Sequence, residues 1–339
     1  MDRLAFLRMV AYKLGSKFKP KQFSSSDFAP KAARSLLLFF FLTCPLLLCS
    51  LSACYSPATP QQNSASTIPR CSKLVSFSPS ITEIVYALKL DRQLVGVTRF
   101  CKYPPQAQQK TSVGGYLDPN LETVIRLQPT LVLLRQEQTD IKGRLVNFQL
   151  PTLSVEHRTV SGILESFQQI GSACNRQALA VEEVHQLKQE IAKIHRQTSH
   201  VKFHPRVLVV VDRDIRYNTI KHVFVAAHDG FFDWLLTEAG ATNAVSGQTS
   251  GFSELSTEGI LRLNPDVIIE LMPSLAHSSL SQAEIQRAWQ TMPTLAAVKN
   301  HRLVLFTDDY MSIPGPRFIL TLRRFAETLH PELDWSRHG

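Results

Sequence analysis

No Gly-x-Ser-x-Gly elbow, phosphate-cradling glycine loop or His-Glu-x-x-His helix occurs in the 339 residues, so the common frameworks for acyl transfer, nucleotide binding and zinc-dependent hydrolysis are missing. Ser78 and Ser80 flank Pro79 with no base beside them in the chain. The neighbouring carboxylates of Asp308 and Asp309 would point to opposite sides of an extended loop. Neither arrangement argues for catalysis, and no catalytic residue or cofactor is expected. Positive charge on the folded part is also scarce. Of the formal net charge of +9, a net of +6 lies in residues 1–53, leaving +3 for the remainder. A nucleic-acid binder keeps its basic surface on the folded domain, so no such partner is expected. The eleven histidines invite a bare zinc or manganese site, which needs about four converging His and carboxylate ligands. The stretches that follow Phe77 and Thr98 contain none, and His157, His185, His195 and His200 fall on or near helical segments. No metal site is expected.

What the amino terminus does contain is a pattern for export. Lys31 and Arg34 precede an uncharged apolar run, Ser35 to Leu51, which leads into Leu51-Ser52-Ala53-Cys54. A basic region, a short apolar run and small residues before a cut form a signal peptide. Here the cut falls at a lipobox cysteine, so residues 1–53 are expected to be removed and Cys54 to carry a lipid that holds the protein at a membrane. A spanning helix wants about 20 apolar residues; this run is shorter and contains Pro45. Residues 54–70, rich in Pro, Ser, Thr and Gln, read as a flexible tether. Tyr55, not Asp, follows the lipidated cysteine, so inner-membrane retention is not signalled. Of the six cysteines, only Cys71, Cys101 and Cys174 then remain in the folded part. An extracytoplasmic location permits one disulfide among them, and the sequence does not choose the pair.

After the tether, short β-rich runs alternate with helical stretches, the pattern of an α/β fold with parallel sheets. One block, residues 71–170, holds the runs 73–77, 94–98 and 131–134; a second, residues 201–333, holds 206–211, 267–271 and 302–306. Between them, in residues 171–200, Arg176 to Thr198 has no Gly or Pro and sets Val184, Leu187, Ile191 and Ile194 on one helical stripe. The expected architecture is two α/β lobes joined by a single long rigid helix, with a ligand cleft between them and little closure. The lobes also share a repeat: Glu122 to Leu134 matches Glu258 to Glu270, a short helix stopped by Pro129 or Pro265 that runs into a buried strand. Asn120 and Ser256 are the expected N-caps, placing Glu122 and Glu258 at the same second helical position. Such a carboxylate favours the helix dipole without any function; two equivalent ones also suit a two-fold partner with basic residues on each half.

Ligands of α/β lobes bind beyond the carboxyl ends of parallel strands. The loops there hold Ser78 and Ser80, Arg99 and Phe100, Tyr103, Tyr116, Arg135, Arg213, Phe252, Met272, and Asp309 with Tyr310. The serines have a second reading as caps of a helix beginning near Thr82. Aromatic faces would stack on a large flat or apolar ligand and arginines would hold its acidic groups or oxygens.

Residues 74–88 (LVSFSPSITEIVYAL), 94–107 (LVGVTRFCKYPPQA), 114–134 (GGYLDPNLETVIRLQPTLVLL), 231–244 (FFDWLLTEAGATNA) and 256–271 (STEGILRLNPDVIIEL) resemble, in this order, the iron-chelate and cobalamin binding proteins of ABC importers. The resemblance covers residues 71–330. It implies capture of a small molecule and its delivery, without catalysis by the carrier itself, to a permease dimer whose arginines engage one glutamate per lobe, at positions matching Glu122 and Glu258. Vitamin B12 binders are the nearest likeness, with aromatic contacts falling on Phe100, Tyr116, Phe252 and Tyr310; where they carry a tryptophan this chain has Leu134. Ferric siderophore or haem binders would use Arg99, Tyr103, Arg135, Arg213 and Arg317. The implied carrier is a monomer.

Overall fold

A computed structural model describes residues 70–215, 219–226, 230–245, 252–277 and 280–335. The signal, Cys54 and the tether lie outside the described residues. Among the described residues, no helix is long and apolar enough to cross a membrane.

Strands β1 (Leu74–Ser76), β2 (Leu94–Val97), β3 (Thr111–Ser112), β4 (Leu131–Arg135) and β5 (Thr152–Val155) form one sheet in the order β3-β2-β1-β4-β5. Every pairing in it is parallel, so all the following loops emerge at one edge. The central strands are buried on both faces, as a sheet covered by helices on each side requires. Alternate residues serve two cores: Leu74, Leu131 and Leu133 pack with helices α1 (Pro79–Ala87), α4 (Val160–Ala173) and α5 (Gln177–Thr198), while Val75, Val132 and Leu134 pack with α2 (Leu121–Leu127) and α3 (Thr139–Asn147).

The second sheet contains β6 (Arg206–Arg213), β7 (His222–Ala226), β9 (Phe252–Ser256), β10 (Val267–Leu271) and β11 (Leu303–Phe306) in the order β11-β10-β6-β7-β9, with β8 (Thr242–Asn243) beside β6. β10 runs parallel to β6 and β11, whereas β7 is antiparallel to both β6 and β9. This half is therefore mixed, where the sequence suggested parallel strands throughout. Phe252 accordingly opens a strand and does not follow one. The remaining helices are α6 (Phe231–Glu238), α7 (Thr257–Leu263), α8 (Gln282–Arg287), α9 (Ala296–Lys299) and α10 (Phe318–Leu329).

At 22 residues, α5 spans about 33 Å and touches both cores: Ala180 and Val184 pack in the first lobe, Ile194 in the second. It does not bridge alone. In α4, Phe167 and Ile170 belong to the first core and Val160 and Ile163 to the second, while Leu164 of α4 and Leu187 of α5 pack against both. The two helices meet closely at Gly171, where a Cβ would lie 2.7 Å from that of Ala180. α10 buries Phe318, Leu322, Phe325 and Leu329 in the second core and ties to α5 through Arg323 and Glu190, 2.9 Å apart.

Two further devices fix α4 to the first lobe. Cys71, just before β1, is disulfide-bonded to Cys174 at the end of α4, across 103 residues; this settles the pairing and leaves Cys101 buried and free. A buried polar chain then runs through His157, whose Nδ1 lies 2.7 Å from Ser80 Oγ and Nε2 3.0 Å from Ser166 Oγ. Ser166 donates to Gly162 O at 2.7 Å, so its oxygen accepts from Nε2–H. Nδ1 then accepts the Ser80 hydroxyl proton, and Ser80 in turn accepts from Ser78 at 2.8 Å. Burial, helped by the charge of Arg135, pushes the His157 pKa well below its ordinary 6.5, so the imidazole is neutral.

Two tests follow. In the chain-entropy picture a loop of this length is worth a few kcal/mol, so replacing Cys71 and Cys174 by Ser should lower the unfolding free energy by roughly 2–5 kcal/mol in urea titrations; an unchanged midpoint would contradict the bond. His157 stays neutral when folded but protonates when unfolded below about pH 6.5, so its stabilisation is present above that pH and fades below it. Between about pH 7.5 and 5.5 the protein should lose roughly 1.4 kcal/mol more stability than a His157→Gln variant. Equal losses would show that His157 charges freely in the fold.

Candidate functional site

The strand-end edge of the first sheet and the facing loops of the second lobe meet at Arg317, which stands at the N-cap of α10. Its Nη2 donates to Glu83 Oε1 at 2.8 Å, from α1 of the first lobe, and its Nη1 donates to Asp309 Oδ1 at 2.9 Å. The guanidinium carbon lies 4.0 Å from the centre of the Tyr103 ring and 5.6 Å from that of Tyr310. One arginine thus contacts a carboxylate and an aromatic ring from each lobe. Burial pushes the Glu83 carboxyl up, and the hydrogen bond and charge of Arg317 oppose that shift. The second-lobe loop sits directly on α1 here: a Cβ on Gly315 would come within 3.0 Å of Ser80 Cα. Behind the contact, on the side of α5, lies a cavity of about 380 Å³ between Tyr86, Tyr103, Leu187 and Ile319.

The other expected site residues divide into two groups. Arg99 is exposed and donates through Nη2 to Asp118 Oδ2 at 2.6 Å and Oδ1 at 2.8 Å, with its guanidinium 5.3 Å from the Phe100 ring centre. Gly115 leaves room for this pair, because a Cβ there would collide with both partners. Phe100 and Tyr310 are half-buried and Tyr103 is exposed in the loops, while Phe252, also half-buried, opens β9 with its ring centre 6.4 Å from that of Phe232. Burial, with the charge of Asp308, pushes the Tyr310 hydroxyl up.

The second group is withdrawn from the loop surface. Arg213, expected as a ligand contact, is buried: its Nε donates to Glu270 Oε1 at 2.5 Å and its Nη2 to Ile285 O at 2.7 Å, while Trp289 Nε1 donates to Glu270 Oε2 at 2.9 Å. A core arginine of this kind neutralises a strand glutamate. Arg135 is 1% exposed and pairs with Glu137 at 2.5 Å. Tyr116 is equally buried, with its hydroxyl 3.4 Å from the same Glu137 oxygen. Ser78 is buried beside Ser80; it is the N-cap of α1, which begins at Pro79 and not near Thr82, and its side chain makes no capping bond. Leu134 lies fully in the core against α2 and α3.

In the sequence, Arg317 stands only among the candidate ligand grips, and Glu83 carries no signal of its own. Nothing local signals that pair, which joins residues 234 positions apart. Ser80 and His157, 77 positions apart, do form a serine–histidine contact that the sequence does not display. Both are sealed from solvent, and the second imidazole nitrogen meets Ser166, not a carboxylate that would orient a catalytic base. Among the described residues, no cluster of three or more His, Cys, Asp or Glu is placed to hold a metal ion.

The repeated helices carry the glutamates at matching places. Asn120 Oδ1 accepts from Thr123 N and Ser256 Oγ from Gly259 N; α2 and α7 each have seven residues and end at a left-handed residue, Gln128 or Asn264. Glu122 and Glu258 are second in their helices and exposed. Hydrogen bonds from its own backbone N–H and from Ser256 hold the Glu258 carboxyl below the usual range.

Residues 74–310 match the periplasmic binding protein family. The chain is 28% identical over 265 residues to YvrC, an ABC transporter substrate-binding lipoprotein of Bacillus subtilis, covering 77% of this chain and 80% of that one. It is 26% identical over 260 residues to the vitamin B12-binding protein of Pectobacterium atrosepticum, covering 76% of this chain and 88% of the relative. Among solved structures, the periplasmic heme-binding protein RhuT of Roseiflexus superposes with a TM-score of 0.66 at 20% identity, covering 76% of this chain and 98% of RhuT. With two lobes on a shared helical bridge and the match spanning most of both, the chain belongs to the periplasmic binding protein family.

Proposed function

We propose that this protein captures a corrinoid of the cobalamin type between its lobes and delivers it to the permease of an ABC importer without chemical change, tethered to a membrane by a lipid on Cys54. The observation that carries the ligand choice is the pairing of the candidate arginines. Each arginine expected to grip an acidic ligand is already matched: Arg99 by Asp118, Arg135 by Glu137, Arg213 by Glu270, and Arg317 by Glu83 and Asp309. Haem propionates or the anionic groups of a ferric siderophore gain most from guanidinium that is not yet paired. Taking a buried arginine from its carboxylate costs on the order of 3–5 kcal/mol. A corrinoid is bounded by neutral amides and apolar faces, for which the rings of Phe100, Tyr103, Phe252 and Tyr310 are suited. The Pectobacterium relative, named for vitamin B12, supports this choice. The likeness to RhuT shows that the same fold serves a haem binder, so residues and not fold must decide.

Delivery is supported by Glu122 and Glu258, which present carboxylates at equivalent positions on two lobes, as a two-fold permease with basic residues on each half would require. The lipid and tether would raise the effective concentration of the carrier near that partner.

Titration of the purified protein with cyanocobalamin, haemin and a ferric siderophore, followed by calorimetry and by their distinct absorption bands, tests the ligand. Cyanocobalamin should bind at least roughly 100-fold more tightly than the other two, about 2.8 kcal/mol, with little dependence on salt because no net charge is paired. Tighter binding of haemin or the siderophore, weakening steeply with salt, would overturn the choice.

A further inference from the structure

Each docking helix exposes a large apolar side chain one turn after its glutamate. Ile125 is 40% exposed and Leu261 39% exposed. They stand three residues after Glu122 and Glu258, so they hold the same position in the repeat and lie on the same helix face as the acid. A single exposed aliphatic residue needs no explanation. Two at equivalent places beside equivalent carboxylates do need one. In the first lobe the patch continues into a groove of about 500 Å³ between α2 and the end of α3, lined by Leu121, Glu122, Ile125, Arg144, Asn147 and Phe148. Phe148, at its far wall, is 53% exposed. Arg126 does not cover this face, since its Nη2 donates back to Thr123 Oγ1 at 3.3 Å.

Resting on the docking reading above, we infer that Ile125 and Leu261, with Phe148 beside the first, form apolar halves of the two docking points, and that the permease inserts a large apolar side chain next to each basic group that meets Glu122 or Glu258. The occupant is set by what adjoins the patch. The acid at the rim selects a basic group, and the groove selects an apolar neighbour of that group on the same partner surface. Coulomb attraction between exposed charges steers the encounter but adds little affinity by itself. Burial of apolar surface beside the charge supplies the short-range, salt-insensitive part of the binding.

The test uses the full-length mature protein and its importer complex in nanodiscs, with binding measured at low and high salt. Ile125→Ser with Leu261→Ser should weaken binding at least tenfold at both salt concentrations, and Phe148→Ser should weaken it alone, with melting temperatures unchanged. Glu122→Arg with Glu258→Arg should weaken binding most at low salt. If the apolar variants bind like wild type while the charge reversals do not, the inference fails and the docking reading stands. If neither set weakens binding, both fail. Should the paired variant melt early, Phe148→Ser alone decides: normal binding by it overturns the groove.

Discussion

A guanidinium shared between two lobes organises this molecule. Arg317 lies at the start of α10, which is anchored in the second core by Phe318, Leu322 and Phe325. From there it reaches Glu83 in the first lobe. The carboxylate it meets is almost fully buried, a state that is costly for a charge without a partner. Removing the arginine would therefore leave an uncompensated buried acid, and the lobes gain from staying in register. The same contact stacks Tyr103 of one lobe and faces Tyr310 of the other, so these two rings are positioned by the pair that joins the lobes.

The helical bridge reinforces this. Because α4 and α5 both place side chains in both cores, rotating one lobe would uncover apolar surface on two helices at once. The disulfide to Cys174 and the buried His157 chain, which reaches Ser80 of α1, fix α4 to the first lobe. In the proposed function, a carrier built in this way would meet its ligand with a largely preformed surface, and the separation of Glu122 from Glu258 would be a fixed dimension for a permease to match.

What the sequence displayed was whatever depends on neighbours in the chain. The repeat of short helix, proline and buried strand, the caps at Asn120 and Ser256, and the positions of Glu122 and Glu258 were all readable, because capping and strand burial are local effects. The long helix was readable from its uninterrupted apolar stripe. The pairings were not. Arg213 with Glu270 and Arg317 with Glu83 join charges 57 and 234 residues apart, and an arginine in a strand-end loop looks the same whether it faces a ligand or a buried carboxylate. The burial of Tyr116 beside Glu137 and of Ser78 beside Ser80 is likewise set by contacts that no spacing reveals. The mixed second sheet was missed because β7 and β9 pair across a chain reversal whose register only tertiary contacts set.

The central claim, that the Arg317 contact and the helical bridge hold the lobes at one separation, is tested most directly by pulsed electron spin resonance between labels on α2 and α7, introduced by Arg126→Cys and Arg262→Cys at exposed positions. The account predicts one narrow distance distribution that moves by less than about 2 Å when cyanocobalamin is added and that broadens when Arg317 is replaced by Ala. A shift of more than about 5 Å on ligand addition, as in hinged domain closure, or an undisturbed distribution without Arg317, would contradict it.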